Sequence, residues 1–302
     1  MERHTVGVGR PYRAEPAGSA PGDPRGADGV IVEAIRRYPV KSMLGEELPR
    51  VDVTPAGVEG DRRLALLDRT TGRVVSAKHP QRWRAMLALR ATGGPPGPVR
   101  ISLPDGRDVG DDVDTVLTEL LGAPVSLIAT VPPGATLDRA RPDEVLAAGV
   151  TAPVTVDETP LGDGGDAKTF VDFAPLHLVT TATLDRITEA AGAGRPVDAI
   201  RYRPNLVLRT TDVPGFAENG WVGRELRVGP ELVLRVLAPT PRCAVPTLAH
   251  GDLPAEPDAL RVPARLNRVA PVPQLGPLPC VGAYARVVRP GPVEVGDRVR
   301  LA

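Results

Sequence analysis

The chain has 302 residues, and 37 Lys+Arg balance 37 Asp+Glu. The charge excess with which nucleic-acid binders neutralise phosphates is therefore missing. Nine aromatics (three Phe, two Trp, four Tyr) are too few for base-stacking platforms, and 32 Gly with 35 Pro favour turns and short strands over long helices.

Residues 1–28 are rich in Gly, Pro, Arg and Asp and read as a disordered leader. Order is expected from Val30, where VIVEAIRRYPV (30–40) has the pattern of a strand. RLALLD (63–68) and RVVSA (73–77), joined by the polar turn Arg69–Gly72, form a predicted hairpin. VRISLP (99–104) and a strand beyond Asp105-Gly106 form a second. In DDVDTVLTELLG (111–122) the apolar residues Val113, Val116, Leu117, Leu120 and Leu121 have helical spacing, with Gly122 as the stop. VSLIAT (125–130) reads as a strand.

Residues 132–167 hold many Pro, Gly and Asp and mark a boundary or long connection. A strand starting in PLHLV precedes a predicted helix at Thr183–Ala191, capped by Thr181 or Thr183. NLVLRT, ELRVG, ELVLRVLAP and YARVVRPGPVEVGDRVRLA are β-rich, VEVGDRVRL (293–301) alternating throughout. A last helix is expected near Ala259–Val269. The fold class is mostly β with a few helices (α+β), the second half barrel-like.

Two cysteines, Cys243 and Cys280, cannot build a disulfide framework or ligate an iron–sulfur cluster. Cys243 follows a predicted strand in the Pro-framed turn APTPRCAVPT. Beside Arg242, a thiolate there is a soft metal ligand or a nucleophile; its bland alternative is a small buried hydrophobe. Cys280 reads as a buried strand-end thiol. If extended, RYRPN (201–205) aligns Arg201, Arg203 and Asn205 on one side, suited to an anion or to a solvated edge. YPVKSM (38–43) places Lys41 and Ser42 after the first strand, and the turn GVEGDRR (57–63) delivers Asp61 and Arg62. FVDFAP (170–175) sets Asp172 between two aromatics. Lys41, Lys78 and Lys168 are the only lysines. His177, in an apolar stretch, reads as core, and the four histidines lack metal-ligand spacing. No phosphate-binding P-loop or nucleophile-elbow motif occurs.

Taken in order, YPVKSM, GVEGDRR, FVDFAP, RYRPN, FAENGWVG, PTPRCAVPT and GAYARVV…VEVGDRV resemble the MOSC family, named after the C-terminal domain of molybdenum cofactor sulfurase. The resemblance implies an N-terminal β-barrel domain at 29–131, a linker at 132–152 and a MOSC β-barrel domain at 153–302. Family members related to the mitochondrial amidoxime-reducing component bind a pterin-dithiolene molybdenum cofactor (molybdopterin). By that resemblance Cys243 is the metal ligand, Asp172 a catalytic neighbour of the metal, and Lys41, Ser42, Arg62, Arg203, Asn205 and Arg242 bind the cofactor. Pro241 stands where reductase-type members usually carry a hydrogen-bonding residue.

The chain is expected to hold no pyridoxal-phosphate domain, no iron–sulfur cluster and no membrane anchor. With no secretory signal and no run of roughly 20 apolar residues, its expected location is cytoplasmic. The function these features imply is reduction of N-hydroxylated small molecules with electrons from a separate reductase. Alternatives are sulfur transfer or C–S cleavage through a Cys243 persulfide or thiolate, and carriage of the cofactor. A sulfurase or cofactor-delivery protein is a further expected partner; nucleic acid and membrane are not.

Overall fold

A computed structural model describes residues 29–162, 169–192 and 195–302. The expected leader and Lys168 lie outside them. The described residues are mostly strands, with five α-helices among them.

The N-terminal strands are β1 (Ile31–Arg37), β2 (Glu46–Leu48), β3 (Arg50–Thr54), β4 (Gly57–Val58), β5 (Ala65–Asp68), β6 (Arg90–Gly93), β7 (Val99–Ser102) and β8 (Val125–Ile128). Next come β9 (Thr136–Ala140) and β10 (Val156–Pro160). The remainder are β11 (Leu176–Thr180), β12 (Leu206–Arg209), β13 (Glu225–Val228), β14 (Leu232–Pro241), β15 (Arg268–Val269), β16 (Leu278–Arg289), β17 (Gly291–Glu294) and β18 (Val299–Leu301). Helices α1 (Pro80–Trp83), α2 (Val113–Leu121), α3 (Pro142–Ala148), α4 (Thr181–Ala191) and α5 (Asp258–Leu266) are short.

The main sheet runs β18-β13-β14-β16-β11-β12-β1-β2. It closes on itself, because Val32 N–H donates to Asp297 O (2.9 Å) and Val299 N–H to Val30 O (2.9 Å). Closure removes the sheet edge that would otherwise be open to pairing. Alternation fixes the two faces. Leu176, Leu178, Ala283 and Ala285 point into the barrel core with Val32, Ile35, Leu234 and Val236. The residues between them on β11 and β16, His177 and Tyr284, are cross-strand partners on the outer face. A second core gathers Val40, Met43, Leu66, Trp83, Met86, Ile101 and Leu117 around strands β5–β8 and α2.

Spacing located α2 and its stop: Gly122 is left-handed at φ 63°, which a glycine adopts without a Cβ penalty. Helix α4 is capped by Thr180, whose hydroxyl accepts from Thr183 N–H, rather than by Thr181 or Thr183. The α5 helix ends at Leu266, and Arg268–Val269 leaves as a strand. VEVGDRVRL is not one strand: it turns at Gly296 (φ 92°), so β17 pairs with β3 and β18 with β13. The stretch expected as a linker, 132–152, holds β9 and α3, and β9 pairs with β10. The strand expected at the start of an N-terminal barrel, β1, pairs with β12 of the second half.

Gly282 (φ 73°) lets β16 pass close to β11: an added Cβ would drive into the Leu178 carbonyl and reach 2.5 Å from His177 Nε2. Gly282→Ala is expected to destabilise the protein by roughly 2–4 kcal/mol, read as a lower urea midpoint. An unchanged midpoint would refute this close approach.

Candidate functional site

The outer barrel face bearing His177 and Tyr284 forms one wall of a cavity of about 280 Å3. The opposite wall comes from loops of the second core. Lys41, Ser42, Arg62, Asp172, Arg203, Asn205, Arg242 and Cys243 all line it. Backbone bonds knit the loops together: Arg62 N–H donates to Tyr38 O (2.8 Å), Lys41 N–H to Leu64 O (2.9 Å) and Phe170 N–H to Arg62 O (2.7 Å). Cys243 packs at the seam with Ala77 and Leu87 from one side and Val245 and Leu248 from the other.

Non-glycine residues rarely adopt positive φ. Of five that do so here, three line the cavity: Ser42 (65°), Arg62 (46°) and Arg203 (55°). Such backbones persist only where their surroundings over-determine them. The Ser42 hydroxyl accepts from Ala77 N–H (3.1 Å). Arg62 binds the buried Asp61 carboxylate and donates to Arg203 O (3.1 Å). Arg203 donates to Met43 O (2.5 Å). Both guanidiniums lie against the Tyr38 ring, at 4.4 Å and 4.3 Å from its centroid. Burial brings the Arg203 guanidinium down to about 10, with the Arg62 charge adding to the shift.

Asp172 is the second electrostatic node. Its Oδ1 accepts from Lys41 Nζ (2.6 Å) and pairs with Lys78 Nζ (2.8 Å). Burial alone would raise its carboxyl; the two ammonium groups outweigh that and hold it well below the ordinary carboxylate range. Burial lowers Lys41 to about 8 despite Asp172, and Lys78 also falls. Both lysines are buried, and Lys41 Nζ also donates to Phe170 O (2.9 Å).

Several expected ligand-binding residues are committed elsewhere. Residues 199–202 form a 3-10 turn and Arg203 is left-handed, so RYRPN is not extended and its side chains do not share one side. Arg201 binds the carbonyls of Leu248 (3.0 Å) and Pro254 (2.7 Å), anchoring the turn after Cys243. The Asn205 amide accepts from His177 N–H (3.2 Å) and donates to Arg36 O (3.2 Å), clipping β1 to β11. Arg242 is committed to other partners: it donates to Tyr202 O and Val281 O (3.0 Å each) and to the His177 ring. His177 is kept neutral by burial and by the Arg242 charge. Because guanidinium only donates, its contacting Nε2 accepts. His177 thus lines the cavity but holds Arg242. Asn205 and Arg242 are positioning residues in this geometry.

Sequence reasoning did not assign Tyr38, Lys78, Arg139, Thr240 or Tyr284 to the site, though all but Tyr38 line the cavity. The rarity of lysine was the available signal for Lys78. Cys280 is buried away from the cavity, its thiol donating to Val269 O (3.7 Å), and burial pushes it up to about 11. Among the described residues, no helix is long and apolar enough to cross a membrane.

The MOSC domain profile matches residues 165–300, and the MOSC N-terminal beta barrel domain profile matches residues 29–119. Mitochondrial amidoxime-reducing component 1 of Mus musculus is 29% identical over 139 residues, 45% of this chain and 39% of that protein. The match therefore spans about two fifths of the relative's length. Among solved structures, the YUAD protein from Bacillus subtilis aligns over 90% of this chain and 94% of its own, at 11% identity and TM-score 0.43. YiiM from Geobacillus stearothermophilus aligns over 57% and 74%, at 16% identity and TM-score 0.32.

The chain has only three lysines, so each resolves in an NMR titration of 13C-methylated protein. One is expected to titrate near 8, matching Lys41. In Asp172→Asn the loss of the opposing charge moves it lower still. Three lysines all titrating near 10.5 would refute the shared-carboxylate arrangement.

Proposed function

The chain belongs to the MOSC family, and on that premise we propose that it is a molybdenum-cofactor-binding oxidoreductase that reduces N-hydroxylated small molecules. Electrons come from a separate reductase. The carrying observation is the convergence of four cations, Lys41, Lys78, Arg62 and Arg203, with the Cys243 thiol on one cavity.

The residues fit such a group by two further observations. Arg139 Nε and Thr240 Oγ1 are buried without a hydrogen-bond partner among the described residues, and both line this cavity. Buried polar atoms left unpaired cost about 1–3 kcal/mol each, which a polar ligand would recover. Among the described residues, no three His, Cys, Asp or Glu side chains cluster to hold a metal ion. A metal carried in its own organic ligand would take one soft thiolate from Cys243.

The cofactor, when bound, supplies two-electron redox chemistry at its metal. The chain's residues do the rest. Arg62 and Arg203, stacked on Tyr38, offer the paired guanidiniums that suit a phosphate. Ser42 and Thr240 offer hydroxyls to polar ring atoms. Asn205, Arg242 and His177 hold those groups in register. The overall change, R–NHOH + 2 e− + 2 H+ → R–NH2 + H2O, consumes protons, and the Asp172–Lys41–Lys78 cluster holds exchangeable protons at the cavity. With two lysines on one carboxylate, Asp172 stays ionised and positions both ammonium groups.

Protein expressed in a host that makes the cofactor is expected to carry near-stoichiometric molybdenum and a fluorescent pterin. Cys243→Ala is expected to lose the molybdenum with its folding unchanged, and Arg62→Ala to retain less pterin. Reduction of an amidoxime by reductant-supplied protein would follow metal content. Well-folded protein with neither molybdenum nor pterin overturns the proposal, and a gain of one sulfur atom on Cys243 in the intact mass would then favour sulfur transfer.

A further inference from the structure

The chain is poor in aromatic residues, yet three π-rings adjoin one another in the lining of the cavity. The Phe173 and Tyr284 rings are 5.2 Å apart between centroids at 41°. Tyr284 and His177 stand edge to face at 6.1 Å. The row follows from the fold. His177 and Tyr284 are cross-strand partners on the outer barrel face, and Phe173 lies in the segment leading into β11.

The two aromatics flanking Asp172 separate. Phe170 is fully buried with Ala65, Leu137 and Leu161. Phe173 is 41% exposed and lines the cavity. Leu275 is 48% exposed and also lines it, as do Pro271 and Val272. Most exposed large hydrophobics are scattered over a protein's surface and need no explanation. These two share the rim of one cavity, and Phe173 is the next residue after the Asp172 carboxylate. The rim is thus apolar immediately beside the polar, cationic interior.

We propose that this rim is a substrate subsite for a flat apolar group, so that preferred substrates carry an aryl body next to their N–O head. The proposal rests on the reductase reading for the identity of that head. Phe173 and Tyr284 supply ring faces and edges, which favour aromatic partners beyond the area they bury. Leu275, with Pro271 and Val272, supplies aliphatic contact from the same cavity lining. Phe173 and Leu275 determine specificity without touching the reacting atoms.

The test is binding of benzohydroxamate and acetohydroxamate to the purified chain, titrated by ligand-observed NMR. The two share one head group and differ in the body. Benzohydroxamate is expected to bind roughly tenfold more tightly. Phe173→Ala and Leu275→Ala, both changes of exposed side chains, are each expected to shrink that ratio severalfold. Acetohydroxamate affinity should stay unchanged in both variants. Equal binding of the two probes, no measurable binding of either, or a ratio that survives in both variants overturns the proposal. A ratio lost in the variants, in protein that reduces no N-hydroxylated compound, supports the subsite and removes the reductase reading alone.

Discussion

Two like charges are held against one phenol ring. Arg62 and Arg203 would repel each other, and each has a backbone that L-residues rarely adopt. What holds them is local: the Tyr38 ring for both guanidiniums, the buried Asp61 carboxylate for Arg62, and the Met43 carbonyl for Arg203. Asp61 also accepts from Tyr38 N–H (2.8 Å), so one carboxylate fixes both the ring and one of the cations upon it. Sites built this way are organised before any ligand arrives, and a ligand anion then meets charge whose repulsion has already been offset. The cation pair is assembled from three stretches far apart in the chain, around residues 38, 62 and 203. Its formation thus requires both the N-terminal and the C-terminal half of the chain.

The cavity divides into regions of different chemistry. Around Tyr38 it is a cradle of guanidiniums. Around Asp172 it is a carboxylate shared by two ammonium groups, with one more positive than negative charge. At Cys243 it meets apolar side chains, the thiol packed on Ala77, Leu87 and Val245. Removing water from such a seam strengthens every charge interaction nearby. The bonds that hold the lining are as informative as the lining itself. Asn205 bonds a backbone amide and a backbone carbonyl, and Arg242 bonds backbone carbonyls and the His177 ring, setting where their neighbours stand.

The sequence carried the periodic elements well. α2 was legible from apolar spacing, and helices were expected close to where α4 and α5 fall; each packs one face on a core. β9 and β10 were not, because their ladder is dressed with charge: Arg73 bridges Asp138 and Glu158, and Arg141 pairs with Asp157. A strand pair stabilised that way shows no apolar alternation. β6, Arg90–Gly93, is too short and polar to stand out. Among candidate site residues, the motif-bearing ones were all found on one cavity, since short motifs encode loops at strand ends. Which of them face a ligand was not legible. RYRPN alternates on paper, but the 3-10 turn and a left-handed Arg203 redirect its side chains. Lys78 and Arg139 lie in segments without a motif, and only tertiary packing brings them to the cavity.

Barrel closure has a consequence for how the protein is made. β1 pairs with β12, more than 160 residues later, and its edge meets Asp297 and Val299 near the end of the chain. At the usual rate of synthesis of about 5–20 residues per second, β1 leaves the ribosome on the order of ten seconds or more before its last partner. Throughout that interval Val32 and Ile35, later fully buried, have no barrel to enter. Until residues 206–209 and then 297–299 have been made, β1 can pair only along part of one edge, with β2, and chaperone engagement at residues 30–40 would be the natural guard against pairing with another chain.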